Sequence, residues 1–452
     1  MISRAVFKAN DLRGLVSGEA PEWDVEGARA VGAAFAIAFG LAGGEFVLGR
    51  DTRLAGRELS LAFAEGAMRQ GASVVDIGLA STDQLWYASG VTGLPGVQFT
   101  ASHNPAGYNG VKFCLPHAAP ITPELMAAIR ELTYAEPPYA ERPGAARPGT
   151  LREADLLPGY AAHLRSLVRL DGLRPLRVVV DAGNGMAGHT TPAVLGDLVD
   201  VVGLYLDLDG RFPNHPPNPL DPANLVDARR AVVEHHADLG LVFDGDADRC
   251  FIIDERGEVV DPAVVISLIA RSELAREPGA AIVVNTITSS AVAQEVAAAG
   301  GRLVVGKVGH TYLKALMAQH HAIFGGEHSA HYYFRDFWGA DTGMLAALHV
   351  ISLVGRGDAT MSELAAGVPS RAASGELNST VADPRAVMDE VAAAFAGEGA
   401  VGWDDGLLVR GPDWWLSVRA SNTEPLLRLN VEAGDPDTMA GLRDRALAII
   451  RP

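Results

Sequence analysis

The sequence predicts an α/β protein of four domains, three units of mixed sheet and helix followed by an α+β module. Three observations support this. An apolar strand, a glycine-rich or polar turn, a helix and another apolar strand recur three times along the chain. A proline-dense polar stretch separates the first recurrence from the second, and residues 371–452 replace the alternation with closely spaced strands. At 452 residues the chain also exceeds the roughly 250–300 that one hydrophobic core serves.

The first unit runs from EFVLGRDT through a helix over Leu59 to Arg69 into ASVVDIG, with a further strand over Gly96 to Phe99. The second runs from LRVVVDAGNG through a short helix to DVVGLYL and on to DLGLVFDGD, and the third is AAIVVNTITSSAVAQEVAAAGGRLVVGKVG. Such alternation gives mainly parallel or mixed sheets whose ligands gather at the carboxyl ends of strands. YAEPPYAERPGAARPGT, with Pro137, Pro138, Pro143 and Pro148, reads as a linker. Near Leu377 a strand begins the last module, followed by a helix over Pro384 to Phe395, the strands GLLVR, WWLSVRA and LLRLNVEA, and a closing helix. Strands this close together favour an antiparallel sheet. The expected domains are 1–150, 151–255, 256–370 and 371–452.

Composition narrows the functional classes. With 37 basic against 55 acidic side chains the net charge is −18, which disfavours a general grip on nucleic acid or anionic membrane. The two cysteines, Cys114 and Cys250, form neither a disulfide framework nor a zinc pattern. The amino terminus carries charge throughout, and the longest apolar run, Ala30 to Ala42, is too short to span a bilayer. A cytoplasmic protein is expected.

DGDADR follows an apolar strand and alternates Asp244, Asp246 and Asp248 with small residues ahead of Arg249. Three carboxylates converging on a tight loop repel by about 4 kcal/mol per pair at ~4 Å and so call for a cation, with hard oxygens suiting Mg²⁺. A solvated acidic loop is the plain alternative. An EF-hand would use Glu255 at the twelfth position, but Arg249 stands where glycine is required and FIID continues as a strand. DAGNGMAG matches a dinucleotide fingerprint through Gly183, Gly185 and Gly188, with Asp207 downstream; the same glycines serve a tight turn packing a helix on a sheet, which is preferred. FPNHPPNPLDP reads as a stiff loop.

KVGHTYLK and GGEHSAHYYF bring Lys307, His310, Glu327, His328, Ser329 and His331 into two loops that could meet sugar hydroxyls. WWLSVRASNTEP sets Arg419, Ser421, Asn422 and Thr423 between two strands, a donor set suited to a phosphate dianion or to an Arg-capped turn. TASHNPAGYNGVKFC holds Ser102 beside His103, with Lys112 further on. G-x-S-x-G is absent, and in an extended chain His103 points away from Ser102, so a Ser/His acyl-transfer pair is disfavoured. Given a magnesium loop and a phosphate clamp elsewhere, Ser102 is better read as a carrier of a phosphoryl group.

These constellations, in this order, resemble the α-D-phosphohexomutase family and its bacterial phosphomannomutase/phosphoglucomutase branch, across essentially the whole chain. TASHNP resembles the phosphoserine loop, DGDADR the magnesium loop, GEHSAH the sugar-reading loop and RASNTEP the phosphate-binding loop. FKANDLRG is similar to the amino-terminal signature, which makes Arg13 an active-site cation. Asn10 departs from the aromatic residue frequent in that signature, and His328 and Ala330 differ from the residues usual in several branches. The resemblance implies four domains around a central cleft, three of them homologous. It implies interconversion of hexose 1- and 6-phosphates of mannose or glucose, with a hexose 1,6-bisphosphate as intermediate and activator. Ser102 with Asp244, Asp246 and Asp248 would hold Mg²⁺, and Arg249, Lys112 and His103 would add charge and assist proton movement. Glu327, Ser329, Lys307 and His310 would bind the sugar phosphate, and His331 suits the mannose/glucose branch as a catalytic group. Arg419, Ser421, Asn422 and Thr423 would clamp the phosphate that is not reacting. A glucosamine phosphate mutase and a magnesium-dependent sugar phosphatase are the rival enzymes; the expected state is a monomer or homodimer.

Overall fold

The computed structural model describes residues 2–135, 147–420 and 426–451. Its first sheet contains β1 (Asp11–Leu15), β2 (Glu45–Arg50), β3 (Ser73–Leu79), β4 (Gly96–Phe99), β5 (Tyr108–Cys114) and β6 (Leu151–Glu153), in the order β1-β5-β4-β2-β3-β6. The second contains β7 (Arg177–Asp181), β8 (Asp200–Leu204), β9 (Leu239–Phe243), β10 (Cys250–Asp254) and β11 (Val259–Val260), in the order β11-β10-β9-β7-β8. The third contains β12 (Ala281–Asn285), β13 (Arg302–Gly306), β14 (Phe324–Gly326), β15 (Tyr332–Phe334) and β16 (Ala340–Asp341), in the order β13-β12-β14-β15-β16.

All three sheets repeat one pairing scheme. The opening strand of the repeat (β2, β7 or β12) pairs in parallel on both sides. One of those neighbours (β4, β9 or β14) then turns back through a short loop into an antiparallel partner (β5, β10 or β15). Strands inside such sheets are covered on both faces and read as continuous apolar runs; β9 and β12 are buried at every residue. The three equivalent turn-back loops are the ones that carry Ser102, the three aspartates, and Glu327 to His331.

Helix ends are set by local capping. The helix Thr82–Thr92 begins where the Ser81 side chain accepts from the Gln84 amide, and Gly343–Arg356 begins where Thr342 accepts from the Leu345 amide. One continuous apolar core joins the second and third sheets to the helix Thr82–Thr92, through residues such as Leu85, Tyr160, Val179, Val265 and Leu345. The first sheet adds a core of its own around Phe35, Phe46, Phe63 and Phe99.

The last module has a wholly antiparallel sheet, β17 (Ala372–Ala373), β18 (Leu377–Ser379), β19 (Ala400–Gly402), β20 (Leu407–Arg410), β21 (Trp414–Ala420) and β22 (Leu427–Ala433), packed with helices Pro384–Ala394 and Pro436–Ile450. Its core, including Phe395, Leu416 and Leu429, is separate from the others. Polar contacts dock it on the third domain. Asp405 accepts from the Thr286 hydroxyl at 3.0 Å and the Val308 amide at 2.9 Å, and Glu432 accepts from the Ser290 hydroxyl at 2.6 Å. An interface of this polar kind permits relative domain motion. Among the described residues no helix is long and apolar enough to cross a membrane.

Candidate active site

Ser102 lies just beyond β4 in the left-handed region, with φ of 50°, and is only 5% exposed. Its hydroxyl donates to Asp244 Oδ2 at 2.9 Å. His103 Nδ1 lies 3.3 Å from the same oxygen, and Arg249 Nη2 donates to it at 3.4 Å. The expectation that His103 points away from Ser102 is therefore corrected: it assumed an extended chain, and the left-handed turn swings the ring back. Burial, then the neighbouring Arg249 and Arg13 guanidinium groups, hold His103 well below its ordinary pKa.

The serine loop is tied down from beneath by a residue that sequence reasoning missed. Arg53, buried in the turn after β2, donates to the carbonyls of Ser102 (2.8 Å), Asn104 (2.6 Å), Pro105 (2.8 Å) and Tyr108 (3.0 Å), and its Nε donates to Asp51. A planar fork of five donors suits this task as no lysine could. The only sequence signal was an arginine in the strand-end turn GRDTR. Arg13, on β1, donates to Asn104 Oδ1 at 2.9 Å and pairs with Asp11, so it borders the same loop.

Asp244, Asp246 and Asp248 are fully buried, and an oxygen from each falls within 4.8 Å of the others. Arg249 Nε donates to Asp244 Oδ2 at 2.8 Å, while Lys112 Nζ from β5 donates to Asp246 Oδ2 at 2.7 Å and Asp248 Oδ2 at 2.6 Å. Burial pushes the Asp244 carboxyl up; Asp248 is held well below the carboxylate range because Lys112 and His331 outweigh its burial. Asp246 Oδ1 and Asp248 Oδ1 are buried without a hydrogen-bond partner among the described residues. Buried carboxylate oxygens that accept no hydrogen bond, one of them within ion-pair range of His331, fit a hard divalent cation such as Mg²⁺ in a convergent, all-oxygen set.

The third loop closes on the same place. A backbone bridge joins Arg249 to His331, and His331 Nε2 lies 3.5 Å from Asp248 Oδ1 while Ser329 Oγ lies 2.9 Å from its Nδ1. Burial lowers the His331 pKa, but the Asp248 carboxylate more than offsets this and leaves it raised. Glu327 is buried and accepts from Asn285 Nδ2 at 3.0 Å, the Gly309 amide at 3.3 Å and the Tyr333 hydroxyl. Burial lowers His310 and His328 to about 4.

Arg419, at the end of β21, faces Arg428 across the ladder, and both approach Glu376 at 3.5 Å. Ser421, Asn422 and Thr423 lie outside the described residues. Lys307 is exposed and lines a groove of about 660 Å³ between the third and fourth domains, with Tyr312, Asp405 and Arg410.

Four family models match in succession: phosphoglucomutase/phosphomannomutase alpha/beta/alpha domain I at residues 4–139, domain II at 158–257, domain III at 261–372, and the C-terminal domain at 376–449. The chain belongs to the phosphoglucomutase/phosphomannomutase family. A phosphomannomutase of Salmonella typhimurium is 39% identical over 100% of both chains. One from Escherichia coli K12 is 38% identical over 98% of this chain and 97% of its own. The crystal structure of a phosphoglucomutase/phosphomannomutase family protein from Burkholderia thailandensis has a TM-score of 0.89 at 32% identity, covering 100% of this chain and 99% of that one. The protein is accordingly an enzyme, a mutase of the isomerase class.

The two rival motifs find other uses in this phosphoglucomutase/phosphomannomutase fold. Glu255, the would-be EF-hand ligand, instead accepts from the amide and hydroxyl of Ser362. The glycines of DAGNGMAG make a tight turn: a Cβ at Gly188 would lie 2.0 Å from the Leu206 carbonyl, and one at Gly185 would lie 2.7 Å from that of Gly245. The turn thus backs onto the aspartate loop, where the Met186 amide donates to the Gly245 carbonyl at 2.9 Å. FPNHPPNPLDP buttresses that turn through Asn214, which donates to Asn184 at 2.7 Å, and His215, 3.1 Å from Asp181.

Proposed function

We propose that this mutase interconverts hexose 1-phosphate and hexose 6-phosphate, with mannose or glucose as the sugar, through a phosphoserine at Ser102 and a hexose 1,6-bisphosphate. The observation that carries the proposal is the placing of a buried serine hydroxyl 2.9 Å from Asp244, where the equivalent loops of three domains meet. In the first half-reaction the bond from phosphorus to Ser102 Oγ breaks, phosphorus bonds to the free hydroxyl oxygen of the sugar phosphate, and the proton of that hydroxyl is relayed to Ser102 Oγ, which leaves as a neutral hydroxyl. The His103 ring, 3.3 Å from Ser102 Oγ, is suited to relay it. The bisphosphate then turns over in the cleft. Its other phosphoryl group passes to Ser102 Oγ, and the serine proton goes to the sugar oxygen that the group leaves.

Asp244, Asp246 and Asp248 would hold Mg²⁺, which supplies neutralisation of the charge spread over the transferring group. Arg249 and Lys112 contribute fixed positive charge beside the serine and the carboxylates. Ser329 and Glu327 face the sugar hydroxyls, and Arg419 with Ser421, Asn422 and Thr423 grips the phosphate that is not reacting. Because water competes as acceptor, closure of the last domain over that phosphate excludes it.

Mannose 1-phosphate or glucose 1-phosphate, supplied with Mg²⁺ and a trace of the matching 1,6-bisphosphate, should yield the 6-phosphate with little inorganic phosphate. Intact-protein mass analysis should show one phosphoryl group that Ser102→Ala removes. Full activity in that variant with the label elsewhere, or steady phosphate release as the main product, overturns the proposal.

A further inference from the structure

We propose that Thr82 is a positioning residue for the aspartate trio, fixing Asp246 from another domain and so fixing where its free oxygen lies relative to Asp244 and Asp248. Two bonds from one residue support this. Thr82 Oγ1 donates to Asp246 Oδ2 at 2.6 Å, and the Thr82 amide donates to the Asp246 carbonyl at 3.0 Å. The side-chain torsions and the backbone of Asp246 are thus both anchored, and with Oδ2 also taken by Lys112, the oxygen left buried and unpaired is Oδ1. Neither the amino-terminal signature nor the four constellations includes this threonine.

The anchor is itself fixed to the rest of the molecule. Thr82 is the first residue of the helix Thr82–Thr92 and has no exposure. Its neighbour Asp83 accepts from the Tyr160 hydroxyl of the second domain at 2.7 Å and from the Thr342 hydroxyl of the third at 2.6 Å. Asp246 is therefore oriented from a junction of three domains, and its own loop supplies only part of the constraint. Partners that orient metal ligands commonly matter roughly 10- to 100-fold in metal affinity.

The proposal rests on the trio being a divalent-metal site, and the test separates the two ideas. Mn²⁺ binding is followed by titration, with Mg²⁺ as competitor, in the wild-type chain and in Asp246→Asn, Thr82→Val and Thr82→Ser. Asp246→Asn should abolish tight binding. Thr82→Val, which keeps the shape but loses the donor, should weaken it roughly 10- to 100-fold and lower kcat more than it raises KM. Thr82→Ser, which keeps the donor, should stay within about threefold of wild type on the same scale. Should Thr82→Val not fold, Thr82→Ala takes its place with the same expectation. A wild-type chain that binds no Mn²⁺, or binds it equally after Asp246→Asn, overturns the metal site and this proposal with it. Binding lost in Asp246→Asn but unchanged without the Thr82 hydroxyl overturns the positioning role alone.

Discussion

Replacing Lys112 with methionine tests the electrostatics on which the site is built. The ammonium group lies 2.7 Å from Asp246 and 2.6 Å from Asp248, and all three side chains are nearly or fully buried. At an effective dielectric of ~20, each contact is worth about 6 kcal/mol before the burial of the charges is subtracted. Removing one partner of a buried pair typically costs about 3–5 kcal/mol, because the carboxylates left behind stay desolvated. Methionine keeps the unbranched stem and lacks only the terminal ammonium atom's position, so the loss reports charge more than packing. Urea unfolding in EDTA should therefore show a stability loss of about 3–5 kcal/mol. Saturating Mg²⁺ should shrink that loss by more than half, since a divalent ion restores positive charge to the same oxygens. Fluorescence can follow the transition, as Trp86 lies buried on the helix whose first turn holds Asp246. Equal losses with and without Mg²⁺, or a loss below about 1 kcal/mol in EDTA, would refute the view that Lys112 is the counter-ion of the trio.

Two further outcomes follow from the same geometry. Burial raises the Asp83 carboxyl from 3.8 to about 6, so the folded state holds that proton more tightly than the unfolded chain. The associated stability is full below pH 3.8 and is lost as pH rises to about 6, roughly 3 kcal/mol in all. Asp83→Asn removes this dependence, so urea midpoints at pH 4, 5 and 7 should show the variant gaining on wild type as pH rises; a constant gap contradicts the assignment. Gly245→Ala would place a Cβ 2.6 Å from the Ser102 carbonyl oxygen and 3.2 Å from Pro217, pressing the serine and aspartate loops apart. It should lower kcat at least about tenfold and stability by about 1–3 kcal/mol, and unchanged turnover would show that the loops have slack.

Much of the molecule was legible in the order of its residues, because the signals involved are local. Apolar runs such as LGLVF and AIVVN mark strands covered on both faces, and the turn residues after them mark loops at carboxyl ends. Alternating aspartates with small residues between them announce a cation loop from side-chain chemistry alone. The meeting of those loops is another matter. Ser102 and Asp244 are 142 positions apart, Thr82 and Asp246 164, and Asp83 and Thr342 259. No periodicity or turn propensity encodes such contacts; they arise because three sheets of one pairing scheme pack with their equivalent loops inward. The orientation of His103 likewise escaped local reasoning, since a single left-handed residue reverses the direction an extended chain would give it. Arg53, Thr82 and Asp83 carry no motif, and their roles come from carbonyls, carboxylates and hydroxyls that distant segments deliver to them. The types of chemistry were thus written in short stretches of sequence, while the single site they form depends on packing between domains, where the free energy of each contact is shared by residues far apart along the chain.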